Sequence, residues 1–430
     1  MSNNKELWFE GAGRKLDPGL VEQLRNSSNG DRNEIPIIVY LKGNCDEEKR
    51  NDLLQRCNDA SHNHLSRELH SINGMKGYLT PEKIKQIKEH EAVERIFYDR
   101  MVTSFLDIAS DQIGAIQVQE ELGFSGEGVT IAVIDTGISP HEDVTQPSNR
   151  MIAFHDFVNG ENEPYDDNGH GTHCAGIAAG SGSFADGKYI GAAPGASIVG
   201  LKVLDEQGSG RLSTIIEALE WCIEHKEEHE IRIISLSLGA PAYESFRDDP
   251  LAQATQMAWH NGIVVCAAAG NSGPQQQTIS TPAIDPFIIT VGSTDDLNTV
   301  DRSDDHIADY SSRGPSIDSF VKPDIYAPGT NIISLLAPGS RLESELPDQI
   351  IDEKYIQLSG TSMATPICAG VIALMLEANP NLSPNDVKSI LKATAQSTLD
   401  DVWGYVEAGS AVEMAQHYQL PSSTKVAQES

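Results

Sequence analysis

The sequence predicts an α/β protein of three layers, with a mainly parallel central sheet between helices, preceded by a small α+β domain. Five nearly continuous apolar runs rich in Val and Ile stand at 129–135 (VTIAVID), 197–204, 231–238, 263–269 and 287–293. This is the pattern of strands covered on both faces. Helical segments lie between them, notably 211–228 and 249–261, and strands that alternate with helices imply parallel pairing. Near residue 100 the texture changes: the runs before it are shorter and are separated by charged helical stretches.

Along the chain, residues 1–35 are polar and turn-rich ("RNSSNGDRNE") and read as a loose leader. The small domain, 36–105, opens on the strand "IIVYLK". A charged helix follows ("DEEKRNDLLQRCNDA"), then a strand around 63–71, the strand "MKGYLT", a helix opened by Pro81 and the strand "AVERIFY". A linker, "DRMVTSFLDIASDQIG", leads into the large domain, 106–418. That domain ends with a long apolar helix at 362–378 and a helix from 383, with Ser383 as N-cap, Pro384 at its first position and Asp386 completing a capping box. Residues 419–430 read as a frayed tail.

At 430 residues the chain can bury a core that needs neither disulfides nor a metal to fold. Its six cysteines form no CxxC pair and read as free thiols. The opening residues, "MSNNKELWFEGAG", lack a basic stretch followed by an apolar one, and nowhere do 18 uncharged apolar residues run together. The expectation is a cytoplasmic protein with no membrane partner, which leaves export by an unconventional route open. A net charge of −32 argues against nucleic acid as a partner. No strand is followed by GxGxxG, so the parallel sheet does not read as a dinucleotide site.

The stretch "NGHGTHCAG", 168–176, poses the chemical question. A zinc-protease helix needs Glu after its first His, and Gly171 stands there instead. The other reading makes His170 a proton carrier, which requires a nucleophile and a carboxylate that fixes the imidazole tautomer. Asp135 ends the strand "VTIAVID", at the end of a parallel sheet where functional groups gather. Ser362, in "SGTSMATP", sits in the first turn of the long helix, near free N–H groups and the positive end of the dipole. Taken singly, these residues also suit turns and caps. His173, on another azimuth of the same helix, reads as structural.

Four blocks in order, "VIDTGI", "NGHGTHCAG", "AAAGNSG" and "GTSMATP", resemble the signature blocks of the subtilisin-like serine proteases, the subtilases. The wording around them is similar to that of the AprX-like intracellular members. The resemblance implies a subtilisin-like catalytic domain and an endopeptidase acting on protein or peptide substrates. Ser362 would be nucleophile, His170 acid and base, Asp135 its orienting carboxylate, and Asn271 a donor of the oxyanion hole. It also implies that Ser237, Leu238 and Gly239 pair with the substrate backbone, and that Ala268, Ala269 and Gly270, with Ser280, leave room for a large apolar P1 side chain. The small domain resembles a ferredoxin-like propeptide that inhibits the enzyme and is removed by self-cleavage after Phe105 or Leu106. No cofactor is expected for catalysis. Asp143 stands where relatives often bind structural calcium. Cys174, on the helix of His170, reads either as a thiol lying against the triad or as an inert core thiol that fills a gap. A non-catalytic scaffold is the alternative, opposed by the complete set of four catalytic positions.

Overall fold

In the computed structural model, which describes residues 15–26, 34–43, 45–57, 64–99, 101–104, 112–297, 305–397 and 404–418, the five apolar runs are strands of one sheet. Its order is His306–Ile307, Ile289–Asp295, Val264–Ala268, Ile231–Leu236, Thr130–Asp135, Ser197–Lys202 and Met151–Asp156. Ile325–Pro328 lies beside Ile289–Asp295. Every pairing is parallel except that of His306–Ile307. Thr130–Asp135 is an interior strand, next to the middle one and buried along its length, so Asp135 stands at its carboxyl end. Met151–Asp156 escapes the sequence reading because it is an edge strand, with Ile152 and His155 exposed, and so lacks a long apolar run.

Helix Thr361–Ala378 packs against both the sheet and helix His170–Ala179, which brings Ser362 and His170 to the same end of the sheet. By length and composition this helix could cross a membrane, but 89% of it is buried within the protein. It is the core helix. Pro384–Thr394 carries the expected capping box of Ser383 and Asp386; removing such a cap costs about 1 kcal/mol.

The small domain is an antiparallel sheet in the order His64–Leu69, Gly74–Leu79, Ile35–Leu41, Val93–Tyr98, with helices Glu47–Cys57 and Pro81–Ile87. This β-α-β-β-α-β order is the ferredoxin-like one. The leader needs correction. Residues Pro18–Asn26 form a helix, and Leu16, Leu20 and Leu24 are buried in the small domain's core. One helix of nine residues is too short for its period to stand out from polar surroundings, yet leucines four apart cover one face. Asp17 caps it by accepting from the N–H of Leu20.

The small domain sits on helices Leu212–Glu224 and Pro250–His260 both through apolar contacts, with Ile38, Leu69, Ile72 and Phe97 joining the large domain's buried cluster, and through polar pairs. Glu220 accepts from Ser71 N and Oγ at 2.7 and 2.6 Å. Lys76 pairs with Glu217 at 2.5 Å, and Arg95 with Glu244 and Asp248. Asp99 accepts from Ser213 N and Oγ, capping the start of Leu212–Glu224.

Candidate active site

Asp135 and His170 meet because a strand end and a helix start are held face to face. Asp135 Oδ1 accepts from Thr136 N at 2.7 Å and lies 2.7 Å from His170 Nδ1. Both side chains are buried. Gly171 makes the approach possible: a Cβ there would stand 2.2 Å from the Gly137 carbonyl oxygen and 3.1 Å from Asp135 Cβ. The position that a zinc-protease glutamate would occupy is therefore closed by packing. Burial pulls the His170 pKa down, but the charge and hydrogen bond of Asp135 outweigh it and hold the imidazole well above its ordinary value.

Ser362 is the second residue of helix Thr361–Ala378, so its N–H is among those a helix start leaves without an intrahelical partner. Its Oγ donates to Ser237 O at 3.2 Å, and Ser237 Oγ donates back to Ser362 O at 2.7 Å. That carbonyl is available because Pro366, four residues on, has no N–H to bond it. Asn271 is oriented by Thr361, whose N and Oγ1 both donate to Asn271 Oδ1 at 3.0 Å. The amide NH2 is then the end left to donate elsewhere.

Strand Met101–Ser104 lies between Ser209–Arg211 and Leu238–Gly239, antiparallel to both. Ser104 faces Leu238, and Thr103 faces Gly239. Phe105 and Leu106 lie outside the described residues. Ala268 and Ala269 are buried, and Gly270 has φ +109°, where a Cβ would come within 2.8 Å of Ser312 Oγ and 3.0 Å of Ser280 Oγ.

Residues 126–412 match the model of the subtilase family. The chain is a subtilase. It is 42% identical to serine protease AprX of Bacillus subtilis (strain 168) over 388 residues, 88% of this chain and 86% of that one. It is 35% identical to subtilisin DY of Bacillus licheniformis over 306 residues, 70% of this chain and 96% of that one. Among solved structures, fervidolysin from Fervidobacterium pennivorans, a keratinolytic enzyme related to subtilisin, superposes with a TM-score of 0.69 at 21% identity. That match covers 95% of this chain and 63% of fervidolysin. This subtilase is a serine endopeptidase.

In this subtilase Cys174 lies beside both His170 and Ser362: its Sγ is 3.8 Å from His170 Nδ1 and donates to Ser362 O at 3.6 Å. Burial raises its pKa, which favours the thiol over a metal-binding thiolate. Asp135, His170 and Cys174 have ligand atoms within 4.8 Å of one another. Asp135 Oδ1 and His170 Nδ1 are already bonded to each other, however, so the trio is a hydrogen-bonded dyad with a thiol alongside. His173 turns away to the Ile356 carbonyl at 3.0 Å; burial, then the charge of His170, push its pKa down to about 3. It is a neutral structural residue.

The residues around Asp143 do not fit calcium in this subtilase. The carboxylate accepts from Tyr355 OH at 2.8 Å and Phe184 N at 2.9 Å, and its main-chain carbonyl accepts from Ser181 N and the Arg150 guanidinium. Calcium needs six to eight oxygens, whereas here a phenol, two amides and a cation take the lone pairs.

Sequence reasoning missed the residues beneath the dyad. Lys202 is buried, and its Nζ donates to Thr136 O, Asp167 Oδ1 and Leu204 O at 2.6, 2.6 and 2.8 Å, fixing the turn after Asp135. Asp166 accepts from Gly169 N and Thr172 N at the start of the histidine helix, both at 2.8 Å. An acid just ahead of a helix is a start signal, and it was available in "YDDNGH".

Proposed function

We propose that this endopeptidase works through Asp135, His170 and Ser362. Ser362 Oγ attacks the scissile carbonyl, and His170 takes its proton and returns it to the leaving amine. Asp135 holds the imidazole and stabilises its protonated form. Water then hydrolyses the acyl-enzyme by the same proton route. The Asn271 amide and the Ser362 N–H receive the oxyanion. The observation that carries this reading is the 2.7 Å Asp135–His170 bond at the buried end of strand Thr130–Asp135. The Ser362 hydroxyl in the first turn of the adjoining helix supports it.

The chain acts as a self-processing precursor. The support is register: Thr103 faces Gly239 and Ser104 faces Leu238, so a substrate strand continuing in this register would bring its next residue to Ser237. The Ser237 carbonyl is 3.2 Å from Ser362 Oγ. This favours cleavage after Phe105 over Leu106, with the Phe105 side chain as a large apolar P1 group beside Ala268, Ala269, Gly270 and Ser280. The small domain, held by its apolar and polar contacts, then inhibits as a bound product. Mass spectrometry of purified protein tests this. Wild type is expected to begin at Leu106 and Ser362→Ala to stay full length. A mature N-terminus outside residues 100–110 overturns both the boundary and the pocket.

A further inference from the structure

We infer that Asp166 is a positioning residue for the reaction, one that sets the Asp135–His170 alignment through Thr136. Five donors converge on its buried carboxylate. Oδ1 accepts from Thr136 Oγ1 at 2.8 Å, Gly169 N at 2.8 Å and Asn168 N at 3.2 Å. Oδ2 accepts from Thr172 N at 2.8 Å and Thr172 Oγ1 at 2.7 Å. Because all five partners donate, the ionised carboxylate satisfies them and a protonated acid would not.

These bonds join two elements. Thr136 follows Asp135 just past the strand's end and gives its N–H to Asp135 Oδ1, while its hydroxyl oxygen accepts from Gly171 N at 2.8 Å. Gly169 and Thr172 flank His170 in the first turn of its helix. Thr172 Oγ1 also accepts from Ser139 N at 2.9 Å, a second tie back to the chain leaving the strand. Asp166 thus clamps the strand end to the helix start at the one place where a carboxylate and an imidazole must stay 2.7 Å apart. The charged groups facing this region are Asp135, His170, Asp167 and the Lys202 ammonium.

The inference rests on the Asp135–His170–Ser362 reading, and the test separates the two. Thr136→Val removes the hydroxyl that links Asp166 to Gly171 while keeping shape and carboxylate. Asp166→Asn cannot accept from Thr172 N and Thr172 Oγ1 on its amide nitrogen. Both variants are expected to lose kcat on the order of 10- to 100-fold, the scale of a small misplacement of reacting groups, with KM unchanged. The acid limb of their pH profiles should move toward the free-imidazole value as the bond to Asp135 loosens. Thr136→Ser, which keeps the hydroxyl, should recover activity relative to Thr136→Val. Wild-type kcat in both variants would overturn the inference. So would a fall in activity matched by lost folded protein, with the acid limb unmoved. Undiminished activity in Ser362→Ala would instead overturn the triad reading beneath it.

Discussion

The sulfur of Cys174 lies 3.8 Å from Nδ1 and 4.0 Å from Nε2 of His170. A thiol so close has no room for an adduct without displacing the imidazole, because both side chains are fully buried. Mercurials are therefore expected to inhibit wild type, while Cys174→Ala remains active and resists them. Titration of both proteins with a mercurial checks this. Equal sensitivity would move the effect to another cysteine.

Activity should rise with pH as His170 loses its proton, since only the neutral imidazole accepts one from Ser362. Asp135 raises the pKa of His170, so the half-maximal point of kcat/KM is expected above about 6.5, the free-imidazole value. The same shift is a stability contribution. It is fully present below the unfolded value of about 6.5 and is lost as pH rises through the folded pKa. Asp135→Asn should lower the maximum and move the limb to lower pH. Half-maximal wild-type activity well below pH 6 would contradict the assignment.

Under the proposed oxyanion role, Asn271→Leu should reduce kcat with little change in KM, because the charge its amide would meet appears only in the transition state. In subtilisin, losing the side-chain donor costs about 100- to 1,000-fold in kcat, and the same range is expected here. Steady-state kinetics decide it. A rise in KM alone would make Asn271 a ground-state contact.

Far from the site, Asp324 balances buried lysines. Its Oδ2 accepts from Lys322 Nζ at 2.6 Å, and its Oδ1 is 3.0 Å from Lys388 Nζ. Burial pushes this acid up, but the two ammonium groups hold it at about 2. Its contribution is present above the unfolded value of about 4 and is lost as pH falls toward the folded value. Asp324→Asn is expected to cost about 3–5 kcal/mol, the scale for a buried charge left unpaired. Urea unfolding in the Ser362→Ala background measures it, and a loss under about 1 kcal/mol would show that the lysines find other partners.

How far the chain could be read from its residues follows from what each element buries. Strands such as 129–135 are legible because both faces are covered, and the motif order singles out Asp135, His170 and Ser362 from the sequence alone. Helix Pro18–Asn26 is not, since three leucines spread over Leu16, Leu20 and Leu24 leave no sustained period in a short segment. The supports are not legible either. Pro366 has no role visible in the sequence; in the structure the Ser362 carbonyl that it leaves free accepts from Ser237. The Asp143 carboxylate reads as a metal ligand until Tyr355, 212 positions away, supplies its donor.

The central claim is that Ser362 is the nucleophile and acts only with His170 and Asp135. A serine-directed phosphonylating probe tests it on the native chain and on Ser362→Ala, with the labelled peptide mapped by mass spectrometry and peptidase activity followed in parallel. One adduct is expected, on Ser362, appearing as activity disappears, and neither adduct nor turnover in Ser362→Ala. An adduct on another serine, or undiminished turnover by Ser362→Ala, would contradict it.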